Sequence, residues 1–303
     1  MKGKTFSYVD CSAFTDVLDV RDGINPRSRL LLTALKEQLS EDRYSNSSRV
    51  LKKIFNSDGV ASERSYDFLV DTTWPRCDLP LIDGHGNFGF PPAAPDFSEI
   101  KLTEFATFIL EDSNTNSPDV PFSIPIPYAH ACGTYNTVNN TKIPTHNLLE
   151  IIDAIIALIK NPNLETNDLL QFIKGPDLII GGAIENADEI PSIYEKGYGN
   201  FIILITPENF DRYFIGGVND FCNWYGLKSR KLYKKEAYRL WVPYFANMFD
   251  GDQIKLMSLK EILQKHIEYY RMCKNESDDA LCAMLNRLKK GLSCRKTQEK
   301  VST

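Results

Sequence analysis

Apolar residues recur along this chain at two spacings, and each spacing predicts a different kind of element. Leu30, Leu31, Ala34 and Leu35 follow a helical period behind Asn25 and Pro26, a good cap and a good first helical residue. Leu148, Leu149, Ile151, Ile152, Ile155, Ile156 and Ile159 repeat that period more densely behind Asn147, and Asn161-Pro162 ends the predicted helix. Thr166 opens a short helix closed before Gly175-Pro176, and Ser258 with Glu261 makes a capping box ahead of Leu259. Phe201-Ile202-Ile203-Leu204-Ile205-Thr206 reads instead as a buried strand. Ile100, Phe105, Phe108 and Ile109 predict one more helix, with Asp96 or Ser98 as its cap and Glu99 in its first turn.

The stretch Leu79 to Leu102 breaks this patterning and organises the rest. Gly84, Gly86 and Gly89 fall within six residues and Pro91-Pro92-Ala93-Ala94 follows, so backbone conformation rather than bulk fixes the path. Asp83 and Gly84 are expected in a turn. A second polar break, Asp112 to Asp119, separates the chain into two parts.

Composition adds limits. The 303 residues, 43% hydrophobic and 25% charged, are globular material. The longest apolar run, Leu148 to Ile159, is interrupted by Glu150 and Asp153 and falls short of a membrane span, and the amino terminus lacks a signal pattern. Seven cysteines without a Cys-x-x-Cys pair argue against a disulfide framework or zinc site and for a reducing, cytoplasmic setting. His85, His130, His146 and His266 have no metal-ligand spacing and are read as structural or solvent-facing. No phosphate-cradling nucleotide loop is present, so ATP is not expected to bind this chain.

The formal charge is -5. Between Val20 and Ile54, however, Arg21, Arg27, Arg29, Lys36, Arg43, Arg49, Lys52 and Lys53 outnumber Asp22, Glu37, Glu41 and Asp42. A local cationic surplus in an acidic protein suits a confined phosphate-binding face, although taken by itself such a run reads first as a solvated face.

Several of these blocks together resemble the breakage-reunion (A) subunit of type IIA DNA topoisomerases, gyrase and topoisomerase IV. Asp83 to Gly89 matches that family's Asp-Gly-x-Gly-Asn-Phe-Gly, and Ala93-Ala94-Pro95-Asp96-Phe97-Ser98-Glu99 matches its Ala-Ala-x-Arg-Tyr-[Thr/Ser]-Glu. Val20 to Arg29 resembles Val-Arg-Asp-Gly-Leu-Lys-Pro-x-x-Arg-Arg, and Tyr44 to Val50 the approach to the helix that enters the DNA groove. Ile143-Pro144-Thr145-His146-Asn147-Leu148 resembles a landmark of the tower domain, and Leu256 to Leu263 the entrance to a long coiled coil. The resemblance places Phe97 where the family has its nucleophilic tyrosine and Asp96 where it has the adjoining arginine. The family's Pro-His-Gly-Asp has no counterpart at Asn56 to Glu63, and the loop between Gly89 and Pro91 is short. Between Glu185 and Gln253 the resemblance fades, which implies a reduced tower.

What the resemblance implies is an α+β fold: a winged-helix domain over 1–117, a tower-like α/β domain over 118–257 and a truncated coiled-coil stub over 258–303. Arg21, Arg27, Arg29, Arg43, Arg49, Lys52 and Lys53 would face DNA, Arg27 and Arg29 projecting near the start of their helix. Tyr135 would stand at the position of an isoleucine that wedges between base pairs. Double-stranded DNA, a gyrase B-like subunit and a second copy of the chain are the implied partners. The family's magnesium and ATP belong to that B subunit, so no cofactor is expected here. The resemblance leaves the enzyme question open among a DNA-binding protein unable to cleave DNA, a modulator docked on a genuine gyrase or topoisomerase IV, and an active subunit using another nucleophile. Phe97 as a plain core aromatic is the competing reading of that position.

Overall fold

A computed structural model describes residues 17–55, 63–73, 81–89, 95–110, 120–135, 141–178, 181–206, 218, 222, 227–232 and 237–301. The fold is α+β, in two compact units: Met1–Val17 with Ile24–Ser123, and Leu18–Gly23 with Ile124–Thr303.

The first unit begins with α1 (Pro26–Gln38), where the Asn25 side chain accepts from the Ser28 amide at 2.7 Å and Pro26 occupies the first turn, as the sequence dictates. Leu31, Leu32, Ala34 and Leu35 are buried along one side. A two-residue strand β1 (Ser45–Asn46) runs directly into α2 (Ser47–Phe55), and α3 (Glu63–Thr73) follows. Strands β2 (Ile82–Gly86) and β3 (Ser98–Leu102) complete an antiparallel sheet of order β1-β3-β2, with Ser45 opposite Ile100 and Ile82 opposite Leu102. Helix α4 (Glu104–Leu110) closes the unit, with Phe105, Ala106 and Leu110 buried.

Two local expectations change here. Asp83 and Gly84 lie in β2, not in a turn. The stretch after Ala94 is a single 3-10 turn, Pro95–Phe97, followed by a strand rather than a helix. Ser98, Ile100 and Leu102 alternate inward while Glu99 points out, a period of two that a helix cannot satisfy. The helix starts only at Glu104, and Phe108 is on its exposed side.

The second unit is stitched to its own early segment: the Val20 amide donates to the Phe249 carbonyl at 3.0 Å and the Phe249 amide to the Leu18 carbonyl at 2.8 Å. Helix α5 (Tyr128–Cys132) leads to β4 (Thr134–Tyr135) and β5 (Lys142–Ile143). Then come α6 (Leu148–Lys160), α7 (Thr166–Leu169), β6 (Ala183–Ile184), α8 (Ile190–Lys196) and β7 (Tyr198–Ile205). Strands β8 (Lys228–Leu232), β9 (Ala237–Phe245), β10 (Asn247–Phe249) and β11 (Ile254–Leu256) precede two helices, α9 (Leu259–Lys274) and α10 (Asp278–Val301). The main sheet is antiparallel, in the order β4-β5-β9-β7-β6, with β8 lying along β9 as an extra edge.

One face of that sheet makes the core. Phe201, Ile203 and Ile205 of β7 and Leu240, Val242 and Tyr244 of β9 are buried, and α8 packs on β7. Helix α6 buries Leu148, Ile151, Ile152, Ala154, Ile155, Ile156, Leu158 and Ile159, too broad an apolar surface for one neighbour, and α5, α9 and α10 all contact it. Asn147 caps α6 by accepting from the Leu149 amide at 3.0 Å. The Ser258 and Glu261 box is present at the start of α9, whose Leu259, Ile262, Leu263 and Ile267 are buried. Gly197 ends α8 at φ 74°, where an added Cβ would lie 2.4 Å from the Met257 carbonyl oxygen, so only glycine fits. No helix among the described residues is long and apolar enough to cross a membrane.

Candidate nucleic-acid interface

Helix α2 separates its residues sharply. Ser47, Ser48, Val50, Leu51 and Ile54 are buried, while Arg49, Lys52 and Lys53 are exposed, and their spacing of three and four places all three cations on one side. Asn46 starts the helix by accepting from the Arg49 amide at 3.1 Å. The same side chain donates to the Asp96 carbonyl at 3.0 Å, so one residue both caps α2 and holds the 3-10 turn against it. Ser98 Oγ donates to Ser47 Oγ at 2.8 Å, and the Asn87 amide to the Phe97 carbonyl at 3.3 Å. Gly86, at φ 71°, passes so close to that carbonyl that a Cβ would lie 2.7 Å from the oxygen.

These ties fix the backbone of Phe97 from three sides and leave its ring in solvent: the residue is 72% exposed. It is therefore not a core aromatic. Asp96, also exposed, adjoins it, and Glu99 is the next outward residue of β3. The turn thus presents a phenyl ring and carboxylates beside a cationic helix.

The remaining basic residues divide. Arg43 is exposed ahead of β1. Arg27 lies on α1, but its side chain is outside the described residues, as are 56–62 and 90–94, the stretches that hold the missing histidine motif and the shortened loop. Arg29 does not project as expected. It is 1% exposed and donates to the Ile24 carbonyl at 3.0 Å, a cation built into the core of the first unit. Lys36 donates to the Leu110 carbonyl. Arg21 belongs to the second unit, where Nε and a terminal nitrogen grip Asp19 at 2.8 and 2.7 Å and the guanidinium lies 5.4 Å from the Tyr269 ring centre. Tyr135 is in β4, opposite Lys142.

Sequence reasoning missed a polar cluster on the first unit's sheet. The Tyr44 hydroxyl donates to Asp83 at 2.8 Å, and Lys101 reaches the same carboxylate at 3.5 Å and the Tyr44 ring at 4.9 Å. The hydrogen bond to Asp83 raises the Tyr44 pKa, which holds the phenol protonated. No spacing rule could have found this group, because it forms across strands.

Three of the four histidines gather in the core of the second unit, although they are scattered in sequence. His130 Nε2 lies 3.1 Å from the Tyr244 hydroxyl and His146 Nε2 2.7 Å from the Tyr194 hydroxyl, with the two imidazoles 5.3 Å apart. Burial lowers His130 strongly and takes His146 and His266 to about 4; nearby backbone carbonyls offset only part of the effect for the latter two. The Nδ1 atoms of His130 and His146 and both ring nitrogens of His266 make no well-formed hydrogen bond. His85 is exposed, 3.7 Å from Glu99. Among the described residues no group of three histidine, cysteine or acidic side chains could hold a metal ion.

Comparison with known proteins meets this geometry. The family of the DNA gyrase/topoisomerase IV A subunit matches residues 136–212, within the second unit. The A subunit of DNA gyrase from Thermotoga maritima is 34% identical over 209 residues, 61% of this chain and 26% of that protein. The corresponding gyrase protein of Granulibacter bethesdensis is 32% identical over 207 residues, 61% of this chain and 22% of its own length. The A subunit of DNA topoisomerase 4 from Streptococcus pyogenes is 32% identical over 215 residues, 63% of this chain and 26% of that protein. The chain spans about a quarter of the length of the curated relatives it matches. On this sequence similarity the chain is a type IIA DNA topoisomerase A-subunit-like protein.

Proposed function

We propose that this protein binds duplex DNA in the manner of a topoisomerase A-like protein and cannot open the DNA strand itself. In this reading the first unit is a winged-helix domain that lays the Arg49, Lys52 and Lys53 face of α2 on DNA, with Arg43 and Arg27 as flanking phosphate contacts. The second unit is tower-like, with Tyr135 in the place of the wedge, and α9 and α10 begin the coiled coil. A gyrase B-like partner supplies magnesium and ATP, a second copy completes the dimer, and the assembly works in the cytoplasm.

One observation carries the reading: a rigidly held, solvent-exposed Phe97 beside the cationic helix. Transesterification needs an oxygen nucleophile on the protein, and a phenyl ring has none. It also needs cations around the phosphate to stabilise developing charge. Asp96 does the opposite, repelling a phosphate about 4 Å away by roughly 1 kcal/mol in water and by more if desolvated.

Among the described residues, the hydroxyls beside the turn give no substitute. Ser98 is 1% exposed and its hydroxyl is engaged by Ser47 Oγ at 2.8 Å and the Pro95 carbonyl at 3.3 Å. Tyr44 lies farther along the sheet, and its hydroxyl is held by Asp83 with a raised pKa. Strand scission by another side chain of this surface is therefore disfavoured.

Gel retention of a duplex across a salt series tests the binding half: affinity falls steeply with salt if the reading holds, and absent or salt-insensitive binding overturns it.

A further inference from the structure

His130 and His146 each meet a tyrosine hydroxyl, whereas His266, 1% exposed, makes no well-formed hydrogen bond at either ring nitrogen. A buried polar ring left in that state calls for a reason. Its position supplies one. The ring sits on α9 against the backbone carbonyls of Ile124 and Arg21, which favour its protonated form without forming good bonds. These residues flank the places where the chain changes units: the second unit holds Leu18–Gly23, gives up the chain at Ile24 and takes it back at Ile124. Leu18–Gly23 is therefore a strap, a short piece of the second unit separated from the rest of it by residues 24–123.

The strap is held from several directions. Val20 and Leu18 bond to the backbone of Phe249, and the Tyr128 amide donates to the Asp22 carbonyl at 3.3 Å, which ties the strap to the returning segment. From α9, the Tyr269 ring centre lies 5.4 Å from the Arg21 guanidinium. His266, three residues earlier and so on the same side of the helix, meets the Arg21 carbonyl.

The groups around the ring do not favour a proton on it. On α5 the titratable neighbour is His130, and a second positive charge there is repulsive. On the strap, the Arg21 guanidinium is gripped by Asp19, and the buried Asp22 acts on Arg21 and Tyr269. Of the other helices packed on α9, α6 brings Glu150, which accepts from the Lys174 amide, and Asp153, which is held by Lys289. Helix α7 brings Asp168, committed to the Glu165 amide, and α8 brings Tyr194, held by His146. Protonation of His266 thus puts a charge in a buried site, and the charge is relieved when the strap opens and admits water.

We propose that His266 is a pH-sensitive latch: neutral, it packs Leu18–Gly23 and the returning segment 124–129 against α9, and protonated, it releases them locally while the main sheet stays folded. The latch does not depend on what the first unit binds. The closed ring titrates at about 4 and a released one at about 6.5, so closure is fully favoured above about pH 6.5 and loses that advantage as pH falls toward about 4. From pH 7 to pH 5 the opening constant of the strap should rise about 20-fold.

Hydrogen exchange of the full chain, read by mass spectrometry at pH 7 and pH 5 and corrected for the intrinsic pH dependence, tests the latch. Peptides covering Leu18–Gly23 and 124–129 are followed, with β7 as the reference. In the unaltered chain the strap should open more readily than β7 at both pH values and show the expected rise. In His266→Gln, and in His266→Phe, which keeps a ring in the site, that rise should vanish from the strap while β7 keeps the pH dependence that His130 and His146 give it. If strap and β7 lose protection together in the unaltered chain, only global unfolding responds to pH and the latch is refuted. A strap indifferent to pH, or a rise that survives both substitutions, refutes it as well. Should either variant fail to fold, the comparison of strap with β7 in the unaltered chain decides.

Discussion

An exposed phenyl ring gains nothing from burial, so the backbone that holds Phe97 out must be fixed by other means. Asn46, Ser98, Asn87 and Gly86 provide that fixation through hydrogen bonds and close packing. On the proposed reading Asp96 repels a phosphate independently of the missing hydroxyl, so Phe97→Tyr alone is expected to form no covalent DNA adduct; adduct trapping with magnesium and the B subunit of a gyrase checks it. Adduct formation by that single variant would mean that Asp96 does not hinder the phosphate. Arg29 illustrates the opposite case of a charge serving structure. Removing its side chain leaves buried acceptors unpaired and a void, so Arg29→Ala should cost about 3 kcal/mol in urea unfolding. A variant that kept full stability and lost DNA binding would return Arg29 to the binding surface.

At the scale of elements, caps and dense apolar periods are legible in the sequence and cross-strand relations are not. Asn25, Asn147 and the Ser258 and Glu261 box sit where their helices begin, because each capping interaction is made within three residues. The strand at Ser98 reads as helix in sequence since Ser, Glu and an apolar residue suit either element, and its pairing with β1 and β2 lies at long range. The cationic side of α2 is legible as composition, yet burial is needed to separate Arg29 and Arg21 from it. The histidine cluster depends on packing, which no local spacing encodes. Replacing Ser258 with alanine removes the side-chain half of the capping box and should cost about 1 kcal/mol, read as a lower urea midpoint. An unchanged midpoint would show that α9 is held by its buried face alone.

For the whole molecule, the buried imidazoles tie stability to pH. His146 and His266 are lowered to about 4 and His130 is lowered strongly, so the folded protein keeps all three neutral. Unfolded histidines take up protons below about pH 6.5, so the stabilisation is complete above that pH and is lost as pH falls toward about 4. Between pH 7 and pH 5 the His146 and His266 rings should each remove about 2 kcal/mol, with His130 acting in the same direction, measured by urea unfolding at the two values. Equal stability at both would mean that the cluster is hydrated or open.

The central claim joins two halves, a chain that holds DNA and a chain that cannot bond to it. The most direct measurement is the fraction of retained radiolabelled duplex that stays on the protein after detergent denaturation, with magnesium and the B subunit of a gyrase present. The account predicts retention in the native gel and none after denaturation. Label that survives denaturation on this chain would contradict it.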